Sequence, residues 1–86
     1  MKWEEIRARY PHEWLLVEAI EAHSENGKRI LDKLVVIDVF PDWQEAMSDY
    51  KRLHHKEPTR ELFVLHTDRE SLDIQERKWL GLRGVR

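Results

Sequence analysis

The stretch from Leu34 to Phe40, Leu-Val-Val-Ile-Asp-Val-Phe, constrains the fold more than any other part of the chain. An apolar run this short is either a strand covered on both faces or a buried turn of helix. Its Val and Ile content and the proline at 41 select the strand. A strand of that kind needs neighbours at its sides and cover above and below.

The neighbour on the N-terminal side is a hairpin partner. Residues 14–23 alternate: Trp14, Leu16, Ile20 and Ala22 point one way, Leu15, Val17 and Ala19 the other. Asn26-Gly27 lies between the two runs, and both central residues of a type I′ turn need positive φ. That turn sets Glu25 opposite Lys28, Val17 opposite Val36, Leu16 opposite Ile37 and Trp14 opposite Val39. It also sets Glu21 against Asp32, a like-charge pair that a bulge or a longer loop relieves.

Helical patterns flank the hairpin. Trp3, Ile6 and Tyr10 share one face of a short helix over residues 2–9, which Pro11 stops. Downstream, Asp42 is an N-cap with Glu45 three residues on, and Pro58 follows a helix ending near Lys56. Trp43, Ala46, Met47, Tyr50 and Leu53, then His54, form its apolar stripe, expected to be buried on the sheet. Leu62-Phe63-Val64-Leu65 is a third strand, again continuously apolar. Leu72 and Ile74 alternate with Asp73 and suit a short edge strand or a helical turn.

The fold class expected is α+β, in the order α-β-β-α-β. A strand, a helix and a strand make a crossover, so the second and third strands are expected to be parallel neighbours. Glu18 and Glu21 suit an edge for the first strand. The expected sheet is therefore three-stranded and mixed, in order 1-2-3, with the all-antiparallel order 2-1-3 as the alternative. Residues 1–76 form one small domain, and 77–86 a basic, Trp-containing tail.

Composition narrows the function classes. A chain of 86 residues supports one domain with a modest core. The absence of cysteine excludes disulfides and thiolate metal sites. A net charge of −2 argues against broad electrostatic binding to nucleic acid. Charged residues make up 37% of the chain and only one Asn is present, which fits a thermophile or a heavily charged mesophile surface. No apolar run approaches the ~20 residues that span a bilayer, and the N-terminus lacks a signal-peptide core. A soluble, cytoplasmic protein without membrane contact is expected.

Candidate sites are few. His12, His23, His54, His55 and His66 invite a metal, but the adjacent pair His54-His55 diverges on a helix, and ligand spacing is missing. They read as surface or core-edge histidines, with His54, His55 and His66 kept as weak functional candidates. Asp38, inside an apolar strand, is a further weak candidate, since a buried carboxylate with a raised pKa marks active sites. At a strand end it reads more simply as solvated or capping a backbone N–H. Neither paired catalytic carboxylates nor a phosphate loop nor a His-Glu-x-x-His motif is present, so no catalytic residue, metal or cofactor is assigned. The tail carries the clearest partner signal. Arg77, Lys78, Trp79, Leu80, Leu82 and Arg83 combine apolar anchors with steering charge. The same Trp79 and Leu80 also suit packing on their own sheet.

Trp3-x6-Tyr10-Pro11-x2-Trp14-Leu15-Leu16-Val17-Glu18-Ala19, the turn Asn26-Gly27-Lys28-Arg29, His66-Thr67-x-Arg69-Glu70 and Trp79-Leu80-Gly81 span nearly the whole chain. Together they resemble a family of small bacterial proteins of unknown function, often encoded beside a retropepsin-like aspartic protease. The resemblance implies a dedicated partner protein and carries over no catalytic residue.

The expected function is a non-catalytic protein–protein interaction or accessory module, working as a homodimer or with a neighbouring gene product. A sheet with apolar side chains on both faces and one long helix leaves surface to cover. The alternative is a nucleic-acid-binding or antitoxin-like regulator. A small hydrolase or metal enzyme using the histidines ranks third.

Overall fold

The computed structural model describes residues 1–72 and 74–75. Its elements are α1 (Trp3–Arg9), β1 (Trp14–Glu25), β2 (Lys28–Phe40), α2 (Trp43–Lys56), β3 (Leu62–His66) and β4 (Ile74–Gln75). The fold is α+β. Three full strands and the two-residue β4 form an open sheet in the order β3-β1-β2-β4.

The sheet is antiparallel throughout, not mixed, and β3 pairs with β1 rather than with β2. The expected order 1-2-3 is therefore replaced by its alternative. Two physical reasons account for this. Continuous apolar runs report cover on both faces, whatever the strand direction, and here α1 and α2 supply that cover from opposite sides. The carboxylates that suggested an edge are neutralised in place. Glu18 accepts from Arg60 at 2.6 Å, and Glu21 lies 3.4 Å from Lys33. β3 pairs with β1 only over Trp14–Glu18, so Glu18, answered by Arg60, is the carboxylate that lies between two strands and Glu21 lies beyond them, and α2 crosses over β1 to deliver β3 on its far side.

The hairpin turn forms as expected. Asn26 and Gly27 have φ of 53° and 77°, and Glu25 pairs with Lys28. The simple register holds at Val17↔Val36 but not along the whole ladder. Asp32 is an extra residue on β2, so Glu21 comes opposite Lys33 instead of Asp32. The displaced carboxylate meets His23 Nδ1 at 2.6 Å. Ile20 is an extra residue on β1 that restores the register at Ala19↔Leu34, and a third irregularity, at Ile37, sets Leu16 opposite Asp38 and Trp14 opposite Phe40.

One face of the sheet is closed by α1. Trp3 and Ile6 pack with Leu15, Val17, Leu34 and Leu65, and all but Trp3 and Leu65 are fully buried. Three ties hold this short helix down. The Met1 ammonium donates to the Leu34 carbonyl at 2.6 Å, and the Leu34 N–H donates back to Met1 at 2.8 Å. The Trp3 indole donates to the Arg69 carbonyl at 2.8 Å. Arg7 Nε donates to the Thr67 carbonyl at 2.9 Å. This short helix thus completes the cover over Leu15, Val17 and Leu34. The opposite face is covered by α2, with Leu16 and Ala46 fully buried and Leu62 nearly so.

Candidate functional site, an apolar groove beside an open edge

Helix α2 starts at the expected N-cap: the Asp42 carboxylate accepts from the Glu45 N–H at 2.9 Å. Its stripe is wider than the sheet beneath it. Ala46 faces the sheet and is fully buried. Trp43, expected to be buried, is 50% exposed. The reason is angular: at 100° per residue, 43, 47, 50 and 54 fall on the flank beside 46 and 53, overhanging the outer edge of β3. Met47 and Tyr50 are half-buried there, and His54 stacks on Tyr50 with ring centroids 5.6 Å apart.

Under this overhang lies a shallow groove of about 260 Å³ lined by Trp43, Met47, Tyr50, Leu62, Phe63 and Val64. Its floor is the edge strand. The Ala19 N–H donates to the Glu61 carbonyl and the Thr67 N–H to the Glu13 carbonyl, which fixes the ladder phase between β1 and β3. By alternation, the N–H and C=O groups of Leu62 and Val64 point outward, where no strand pairs with them among the described residues. The register of β3 on β1 runs without a shift, and its sequence Leu-Phe-Val-Leu-His carries no Lys, Pro or acid. Proteins usually blunt exposed edges with such residues or with bulges. The outer edge of β2 is blunted in that way: Met1 bonds to it at Leu34, β4 pairs with it at Lys28 and Arg29, and Asp32 and Ile37 break its register.

The residues singled out from sequence lie elsewhere and apart. Asp38 is exposed and its carboxylate accepts from the Val39 N–H at 2.8 Å, the capping role. His54 and His55 are exposed in the last turn of α2. His66 is half-buried, edge-to-face on Trp14 at 4.8 Å, and its Nδ1 accepts from the Asp68 N–H at 3.1 Å. His12 Nδ1 lies 2.6 Å from Asp68, and His23 sits at the far end of the hairpin. Among the described residues no three His, Asp or Glu side chains gather to hold a metal. Arg77, Lys78, Trp79, Leu80, Leu82 and Arg83 lie outside the described residues. The groove is not legible in the sequence because its helix residues read as core. The available signal was the width of the stripe, which is more than a small sheet can cover.

Two ion pairs frame the entry to β3. Arg60 holds the Glu18 carboxyl below its ordinary range through their hydrogen bond, against a smaller opposing effect of burial. Arg29 makes two 2.8 Å bonds to the Glu61 carboxylate and lowers it likewise. No helix among the described residues is long and apolar enough to cross a membrane. Comparison with protein-family models, with curated proteins and with solved structures returns no match.

Proposed function

We propose that the chain is a non-catalytic protein–protein interaction module whose contact surface is the groove between α2 and β3. One observation carries this reading: a half-exposed tryptophan overhangs an edge strand whose outward backbone groups have no strand partner among the described residues. Aromatic side chains beside a pocket are the usual energetic anchors of protein interfaces. Strand addition to an open edge supplies main-chain hydrogen bonds, and the adjoining pocket supplies side-chain selection.

The test is a photoreactive phenylalanine analogue placed at position 43 of the full chain in its native cells. A discrete cross-linked species, lost when Met47 is changed to Asp, is the expected result. No adduct at 43 under any condition would overturn the reading. A retropepsin-like protease, the neighbour implied by the family resemblance, is the first hetero-partner to test against the groove.

A further inference from the structure

We infer that the occupant of the groove is a second copy of this chain, added edge to edge through β3 about a two-fold axis at Val64. This rests on the reading of the groove as an interaction surface and names its partner.

Three features of the molecule point to a copy of itself. The first is the contrast between the two sheet edges. The β2 edge is bonded by Met1 and β4 and broken by bulges, while β3 is regular, carries no Lys or acid, and has no further strand beside it among the described residues. The second is charge. An antiparallel pair centred on Val64 sets Leu62 against His66 and brings Arg60, which already holds Glu18, opposite Asp68 of the second copy, which already meets His12, and the same opposite-charge match repeats at the other end. Sliding the centre to Phe63 sets Arg60 against His66, and sliding it to Leu65 sets Leu62 against Asp68. Only the Val64 register matches charge to charge without burying an aspartate against a leucine.

The third feature is spacing. Helix α2 packs chiefly over β3 and β1, so its axis lies above their seam. With strands about 4.8 Å apart, pairing β3 to β3 brings the two α2 axes to a lateral separation of about 10 Å. That is close to the 8–10 Å at which helices pack. The facing flanks carry Trp43, Met47, Tyr50 and His54, spaced four, three and four residues apart as along a coiled-coil seam. One strand addition therefore satisfies the edge and covers the overhanging tryptophan at once. The product is a continuous sheet with two antiparallel α2 helices side by side on one face.

Light scattering on the full chain across the micromolar range should give twice the chain mass. Val64→Pro removes only an outward N–H, because the ladder to β1 does not use it, and it should return the single-chain mass. Trp43→Glu should do the same from the helix side with an unchanged circular dichroism spectrum, which keeps the test valid if the proline variant fails to fold. The native chain has no cysteine, so cross-linking is clean. Val64→Cys should oxidise to a covalent dimer, since directly paired residues lie about 5.5 Å apart, within disulfide reach. Val35→Cys, exposed on β2, should not. A single-chain mass for the unaltered protein overturns the inference, and so does a dimer that survives both Val64→Pro and Trp43→Glu. In either case a cross-link from position 43 to another protein leaves the interaction reading standing. Without it that reading falls too.

Discussion

Gly27 shows how much a single backbone angle decides. Its φ of +77° is open to glycine and strained for any β-branched residue, and Asn26 beside it already holds +53°. A Cβ built at Gly27 meets nothing within 4 Å, so the cost of a side chain there is conformational and not steric crowding. Gly27→Val is expected to lose about 1 kcal/mol or more in urea melts. A midpoint equal to that of the unaltered chain would place the turn's constraint elsewhere. Ile6 is the opposite case, a residue whose value is volume. It is fully buried between α1 and the sheet, and Ile6→Ala should cost about 2–5 kcal/mol.

At the scale of elements, α2 is a helix with two jobs on adjacent flanks. One flank closes the sheet through Ala46, which leaves no room for a larger side chain: Ala46→Leu should overpack the contact by about 1–3 kcal/mol. The other flank overhangs β3, so Met47→Ala is expected to change assembly more than folding. The helix start depends on Asp42, and Asp42→Ala should cost about 1 kcal/mol by removing the acceptor for the Glu45 N–H. Thermal melts of the three variants, read beside their masses in solution, separate these roles. Leu53 is only half-buried, so the cost of Leu53→Ala lies below that of a closed core site.

Across the whole molecule, ion pairs tie residues far apart in sequence, and stability follows their titration. Arg60 links the approach to β3 with Glu18 in β1, and Arg29 in β2 reaches Glu61. Both carboxyls are held below their ordinary 4.5 by these arginines. Their contribution is therefore present above that value and lost as pH falls through the lowered folded values. His23 has the other sign: its hydrogen bond to Asp32, then that to Glu25, raises it above 6.5. Its contribution is full below that value and lost as pH rises through the raised one. Urea midpoints should thus fall on both sides of a weakly acid optimum. The double change Glu18→Gln with Glu61→Gln should flatten the acid limb, and Asp32→Asn the alkaline one. A profile that the three substitutions leave unaltered would remove these pairs from the account.

What the sequence determined by itself is what short-range chemistry controls. Asn26-Gly27 demanded positive φ, Asp42 offered a carboxylate to a free N–H three residues on, and Pro11 and Pro58 ended helical runs. Those forces act within a few residues, so the elements and their order are legible from the chain. Strand neighbours are a different matter, because Leu15-Leu16-Val17 and Leu34-Val35-Val36 present equally apolar sides to any partner. Only the folded chain shows Arg60 answering Glu18, which lets β1 take the centre, and Asp32 stepping out of register to meet His23. The edge without a further strand among the described residues was likewise decided in three dimensions: Met1 and β4 take the β2 side, and α2 overhangs the β3 side with Trp43 left half in water. Contacts between residues dozens of positions apart choose among pairings that local preference leaves nearly equal, and that choice places the groove.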